Sequence, residues 1–182
     1  MSVTKQAGGF SLIEVLVAVL VFAIGVLGVV GLQTVGIQAN SDSSTRSQAL
    51  ALAYDMADRM RSNLPAVNAT NAADRYDGVT PTIGNCRTRY ANSRVGTPVV
   101  CTSRQVAADD IADWRLHVAR ALPTGTAVVC RDATPEDGAS VAAAACSGGA
   151  ADPLVVKVFW LERLRQGAAA ATPRRVALMV RP

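Results

Sequence analysis

The sequence predicts an α+β protein in which a long N-terminal helix packs against a small antiparallel sheet. An apolar run from Phe10 to Gly36 is followed by a stretch with helical apolar periodicity that ends near Leu64. Short alternating segments rich in β-branched residues occupy the C-terminal third. With 182 residues, the chain can form one ordinary domain in addition to the N-terminal segment.

The apolar run is long enough to cross a membrane as a helix. Glu14 is its single charged residue. At about 1.5 Å per residue the run extends about 40 Å, more than the roughly 30 Å of a bilayer core. Lys5 is the only charge before the run, which predicts a cytoplasmic N-terminus and a periplasmic C-terminal domain. A secretory signal is organised differently, because its cleavage site follows the apolar centre.

The helix is predicted to continue as an amphipathic segment, residues 37–64. After the polar stretch 40–44, apolar residues recur at helical spacing, which predicts one stripe buried against the soluble domain: Leu50, Ala53, Ala57, Met60 and Leu64. Asp55 and Arg59 stand one helical turn apart and are expected to pair on another face. Pro65 is expected to end the run.

Residues 65–182 are predicted to form the globular domain. Its first part, 65–106, is rich in Asn, Thr, Gly and Pro, which predicts an irregular connection with a short strand near Val99–Thr102. A helix is predicted from Asp109 to Leu122. Its first turn is expected to hold Asp109, Asp110 and Asp113, favourable for the helix dipole, and its apolar face to hold Ile111, Trp114, Val118 and Leu122.

Three strands are predicted after this helix, at Thr126–Arg131, Leu154–Leu161 and Arg174–Val180. Strict alternation places Val156, Val158 and Trp160 on one face of the second strand. In the third strand Val176, Leu178 and Val180 share a face, with Arg175 and Arg181 opposite. These parts are expected to assemble as a small antiparallel sheet on the long helix.

The four cysteines predict disulfide bonds. They all follow the apolar run, at Cys86, Cys101, Cys130 and Cys146. An even number in a domain that is expected to be exported indicates an oxidising compartment, and the spacing does not fit the short knuckles of zinc sites. Sequential pairing is the simplest connectivity, and each loop would stabilise the fold by about 3 kcal/mol. Free buried cysteines are the alternative.

Composition gives no support for catalysis or nucleic-acid binding. The net charge of +4 comes from scattered arginines without a basic, aromatic-rich run. His117 is the chain's only histidine, so we expect it to be structural. No nucleophile motif, Gly-rich phosphate loop or metal-ligand cluster stands out. We therefore expect no catalytic residue, no metal and no cofactor, and a single-span periplasmic enzyme is the least favoured interpretation.

The segment Gly8-Gly9-Phe10-Ser11-Leu12-Ile13-Glu14-Val15 resembles the class III signal of type IV pilins and pseudopilins. The resemblance implies that residues 1–9 are a leader and that a prepilin peptidase cuts between Gly9 and Phe10. The same peptidase would then N-methylate Phe10. Glu14 would pair with the terminal amine of a neighbouring subunit. From position alone, Glu14 could equally lie at the membrane interface, stabilised by the helix dipole.

A second resemblance, to minor pilins of the PilV type, lies in the C-terminal third. It rests on the order and spacing of Trp114, Val118, Leu122-Pro123, Gly125 and Val128, followed by Val156, Val158 and Trp160. It implies a pilin-like fold and a minor pilin that takes part in assembly or modification of a type IV pilus. The implied partners are the prepilin peptidase, other minor pilins, the major pilin and the inner-membrane assembly platform. A minor pseudopilin of a type II secretion system, with the same N-terminal chemistry, is the alternative.

Overall fold

The computed structural model describes residues 11–78, 80–82, 86, 100–162 and 171–181. Its elements are α1 (Leu12–Ser62), α2 (Leu64–Val67), a short 3-10 turn (Ala72–Asp74), α3 (Ser103–Ala121), β1 (Thr126–Arg131), β2 (Leu154–Leu161) and β3 (Pro173–Val180). A long N-terminal helix is thus followed by a three-stranded antiparallel sheet. The predicted fold class, α+β and pilin-like, is confirmed.

The chain divides into two compact units, Met1–Ser41 and Asp42–Pro182. In the first unit the described residues are helical from Leu12 onward. Every residue from 11 to 37 is exposed, although the segment is strongly apolar. The second unit holds the last part of α1 together with all other elements.

In the second unit α1 contributes a buried face that differs from the predicted stripe. The buried residues are Ala49, Ala53, Met56, Ala57 and Met60, whereas Leu50 and Leu64 are 41% and 43% exposed. The prediction was wrong for Leu50 because the face of α1 that is buried carries alanines instead, and for Leu64 because that residue lies beyond the end of α1, in α2. Small side chains let another helix approach closely, and the indole Nε1 of Trp114 reaches the Leu52 carbonyl at 2.8 Å. α1 itself ends at Ser62, just before Pro65.

Helix α3 begins at Ser103, six residues earlier than predicted, because Thr102 and Gln105 form a capping box. Residues 100–102 are not a strand, so that part of the prediction was wrong, while Val99 lies outside the described residues. The three aspartates 109, 110 and 113 therefore lie in the middle of the helix, and its first turn holds no acid. The predicted dipole role was wrong. The predicted apolar face is correct: Ile111, Trp114, Val118 and Leu122 are all buried.

The sheet has the order β1-β2-β3, and both pairs are antiparallel. β1 and β2 have the predicted bounds, and β3 begins one residue early, at Pro173. Strand β2 is buried on both faces. Val156, Val158 and Trp160 belong to the core that α1 and α3 share, as alternation predicts. Val155, Lys157 and Phe159 are also buried, and Lys157 contacts the connection between β1 and β2.

Candidate assembly site

Glu14 lies in the first turn of α1. Its backbone N–H donates to the Ser11 carbonyl at 3.0 Å, as does that of Val15 at 3.3 Å. The Glu14 side chain is exposed and sits at the positive end of the helix dipole, where a carboxylate is stabilised. The predicted scissile pair, Gly9 and Phe10, lies outside the described residues, so the cleavage site stays a prediction.

Around and beyond Glu14, the exposed residues 11–37 of the N-terminal segment form a continuous apolar surface, here called the apolar rod. The best window of α1 has a mean hydropathy of 3.0, and none of it is buried within the chain. The helix is therefore long and apolar enough to cross a membrane. A side chain added at Gly25, Gly28 or Gly31 would meet nothing within 4 Å. An apolar surface of this extent requires lipid or other helices around it.

In the globular unit, a cluster around Arg59 joins α1 to α3. The Arg59 guanidinium contacts Asp55 at 3.1 Å, as predicted, but also Asp113 at 3.0 Å and Asp110 at 3.7 Å. Burial would lower the pKa of Arg59, yet its hydrogen bonds to Asp113 and Asp55 and the charge of Asp110 raise this pKa above its ordinary value. Asp110 and Asp113 of α3 thus hold a cation from α1, a role that sequence spacing alone did not indicate.

Tyr76 and Asn63 extend this cluster. The Tyr76 hydroxyl donates to Asp110 at 2.8 Å, and the Asn63 amide donates to the Ser103 carbonyl at 2.8 Å. Burial, together with the Asp110 charge, raises the pKa of Tyr76 above its ordinary value. His117 is half-exposed, with Nε2 3.8 Å from an oxygen of Asp113. These contacts are those of a packed helix pair.

A buried charged cluster lies on the other face of the sheet. Lys157 is fully buried in the middle of β2 and pairs with the equally buried Asp132. Its Nζ also donates to Asp137 Oδ1 at 2.9 Å and to the Ala144 carbonyl at 2.8 Å. Sequence reasoning missed this cluster. The available signal was a lone lysine inside an otherwise apolar strand, since a buried ammonium needs carboxylates around it.

The two disulfides pair Cys86 with Cys101 and Cys130 with Cys146. No cysteine in the chain is free. The predicted presence of disulfides is confirmed, and the pairing is the sequential one. The second disulfide closes the connection that surrounds Lys157, so that a covalent bond and an ion cluster hold the same loop.

The acidic side chains of α3 and those around Lys157 have partners among the described residues. Among those residues no group of three or more His, Cys, Asp or Glu side chains is placed to hold a metal ion. Asp110 and Asp113 of α3 contact Arg59, Asp109 accepts from the Cys86 N–H, and Asp132 and Asp137 pair with Lys157. Such pairing fixes helices and loops in place.

Two family models match the chain. Residues 4–30 match the prokaryotic N-terminal methylation motif, and residues 31–112 match the model described as type IV pilin Tt1218. Residues 31–112 are thus similar to a type IV pilin, and the segment before them is similar to a prepilin-type methylation motif. The methylation motif contains Gly9, Phe10 and Glu14, and the pilin region extends from the middle of α1 into α3. Among curated proteins and solved structures, no significant match was found.

The two family matches suggest what the apolar rod contacts. Type IV pilins are structural proteins, and the motif together with an apolar N-terminal helix supports membrane anchoring. A prepilin-type signal implies processing by a prepilin peptidase and assembly with other pilins. The sheet, the Lys157 cluster and the second disulfide lie beyond the matched regions.

Proposed function

We propose that the chain is a minor pilin of the PilV type that takes part in assembling or modifying a type IV pilus. In this proposal the prepilin peptidase cuts after Gly9 and N-methylates Phe10. The observation that carries the proposal is Glu14, an exposed side chain that is the single charge of the apolar run 10–36 and part of the methylation motif. The apolar run contains no basic residue that could serve as a counter-charge for this carboxylate.

Electrostatics explain how cleavage would control assembly. Before cleavage the nitrogen of Phe10 is an uncharged amide. After cleavage it is an amine that carries a positive charge near neutral pH. In a low-dielectric medium an amine and a carboxylate attract strongly, and either one alone is costly. Docking beside another subunit therefore satisfies both charges and sets the axial register of the two helices.

Membrane topology completes the proposal. Lys5 on the leader favours a cytoplasmic N-terminus, which places the globular unit in the periplasm. Both disulfides of that unit suit an oxidising compartment. Before assembly the subunit would reside in the inner membrane. The assembly platform would then transfer it into the fibre together with the major pilin and other minor pilins.

The first experiment is co-expression of the full chain with a prepilin peptidase, followed by mass spectrometry of the mature N-terminus. We expect a new terminus at N-methylated Phe10. A chain that stays uncut, or that is cut within residues 25–36, contradicts the proposal. Gly9→Val is the matched control, and it should leave the leader attached.

The second experiment separates docking from processing. Glu14→Gln should be cleaved as wild type but should enter sheared pili at least tenfold less, because the counter-charge of the amine is gone. Asp58→Asn removes an exposed acid from the same helix outside the apolar segment and should enter normally. Equal incorporation of Glu14→Gln and wild type contradicts the pairing. A deletion strain with normal pili but defective protein secretion would favour a type II secretion pseudopilin instead.

A further inference from the structure

The two edges of the sheet differ in how their outward backbone groups are satisfied. In an antiparallel ladder, hydrogen-bonded residues alternate with residues whose N–H and C=O point away from the partner strand. The Glu162 N–H donates to the Thr172 carbonyl at 2.9 Å, directly beyond the Leu161–Pro173 pair of the register. The even-numbered residues of β3 therefore bond to β2. Pro173, Arg175, Ala177 and Met179 face away from it.

The same alternation identifies the outward groups of β1. Because the even-numbered residues of β2 bond to β3, the odd-numbered ones bond to β1. The outward residues of β1 are then Ala127, Val129 and Arg131. Two of these residues accept a hydrogen bond at their outward carbonyl. Arg115 Nε donates to the Ala127 carbonyl at 3.1 Å, and the Gly148 N–H donates to the Arg131 carbonyl at 2.9 Å. The Cys130–Cys146 disulfide holds the second contact in place.

The β3 edge has no such cover in the part of the chain that the structure describes. There the outward backbone groups of Arg175, Ala177 and Met179 make no hydrogen bond. Met179 is 49% exposed. Natural proteins usually protect a long apolar edge strand from pairing, because its unpaired N–H and C=O groups can bind another strand. Pro173 lacks an N–H and so prevents strand pairing only at the first position of this edge.

Charge indicates what kind of strand would fit this edge. β3 and the residue after it contain Arg174, Arg175 and Arg181 and no acid. Arg174 pairs with Glu162, and Arg175 reaches the Gly138 carbonyl, whereas Arg181 is exposed without an ion pair among the described residues. Antiparallel pairing of two copies of β3 about Ala177 would bring Arg181 of one copy beside the Pro173–Arg174 end of the other. In this register Arg181 lies opposite Pro173 and diagonal to Arg175 of the other copy. Like charges at a diagonal spacing repel, so a second copy fits less well than a strand with acidic ends.

We propose that the open edge of β3 binds an extended segment of another protein, with an apolar centre and acidic ends, as an added antiparallel strand. Main-chain hydrogen bonds to Arg175, Ala177 and Met179 supply the affinity. The arginines at the two ends of the strand supply the preference for acidic flanks. The proposal does not depend on whether the chain enters a pilus.

The test measures binding of a fluorescent peptide, Glu-Glu-Val-Thr-Val-Thr-Glu-Glu with blocked ends, to the full oxidised chain in detergent. A peptide with lysines in place of the glutamates tests the charge preference, and one with a central proline tests strand formation. Wild type should bind the first peptide at least tenfold more tightly than the other two. Equal binding of all three overturns the proposal.

Protein variants locate the site. Ala177→Pro removes an outward N–H without removing a ladder bond and should weaken binding about tenfold. Since proline could disturb folding, Arg181→Glu provides a second test at an exposed position, and it should reverse the preference toward the lysine peptide. Arg120→Glu, an exposed charge reversal on α3, is the matched control and should bind as wild type. If Ala177→Pro and Arg181→Glu both bind the peptides as wild type does, the proposed site is wrong. It is also wrong if sedimentation detects a dimer of the wild type that Ala177→Pro abolishes, because the edge would then bind a second copy.

Discussion

Arg59 of α1 donates from Nη1 to Asp113 of α3 at 3.0 Å, and the same guanidinium holds Asp55 through Nε. The Arg59 side chain is only 15% exposed. This contact connects the last turns of the long helix to the helix that carries the buried Trp114. It is the kind of ion pair that contributes to stability, because both partners are partly shielded and hydrogen-bonded.

Replacing Arg59 should cost more stability than replacing its neighbour Arg61. Arg59→Met removes the guanidinium that contacts Asp55, Asp110 and Asp113 and should lower the free energy of unfolding by about 1.5–3 kcal/mol. Arg61 is 48% exposed, and its one ion-pair partner among the described residues is the exposed Asp58. Arg61→Met should therefore change the free energy of unfolding by less than about 0.5 kcal/mol. Denaturant unfolding of the full chain in detergent, followed by circular dichroism, measures both. Equal losses of unfolding free energy in the two variants would show that the Arg59 contacts contribute no more than an exposed ion pair.

Removing the buried ammonium should be among the most damaging single changes. Lys157→Met leaves Asp132 buried without a counter-charge and should destabilise the fold by about 3–5 kcal/mol. The double variant Lys157→Met/Asp132→Asn removes both charges and should recover part of that loss. The measurement is the same unfolding experiment. A double variant that is less stable than the single one would contradict an ion pair as the dominant interaction.

The Lys157 cluster should also make the fold sensitive to acid. Burial of Asp132 would raise its pKa, but hydrogen bonds from Lys157 and the Thr134 N–H outweigh this and lower it. The hydrogen bond from Lys157 likewise lowers the pKa of Asp137. A lowered native pKa gives stability that is present above the ordinary value of 3.8 and is lost as the pH falls through the native value.

We therefore expect a stability plateau down to about pH 4 and a loss below it. Thermal unfolding of the full chain across this range measures the effect. Asp137→Asn lacks one of the two shifted carboxyl groups, so its melting temperature should fall less steeply below that pH. A variant with the same acid slope as wild type would exclude Asp137 as a contributor.

The disulfide between Cys130 and Cys146 should stabilise the β1–β2 connection. The bond spans a sequence separation of 16 residues, for which loop entropy predicts about 3 kcal/mol. The double variant Cys130→Ser/Cys146→Ser should lose about that amount while keeping the sheet. Unfolding with and without reductant measures it. Reductant should leave the melting of a variant that lacks all four cysteines unchanged, which controls for effects of the reductant itself.

Local patterns in the sequence predicted most of the secondary structure. The bounds of β1 and β2 follow from β-branched alternation between turn residues, because a strand buried against a core repeats every second residue. The apolar face of α3 follows from helical spacing in the same way. The start of α3 was predicted too late, since the capping pair Thr102 and Gln105 lies in a stretch whose composition resembles a loop.

Two features of the chain are determined by its sequence alone. The apolar run with its single acid at Glu14 needs no tertiary contact to specify a helix long and apolar enough to cross a membrane, because a helix satisfies its own backbone and its side chains alone set its hydropathy. The even number of cysteines likewise indicated disulfides. Only the tertiary structure decided which face of α1 is buried, which acids hold Arg59, and that Lys157 lies inside the fold. These depend on partners far away in the chain, and helical or strand periodicity describes only residues that are close in sequence.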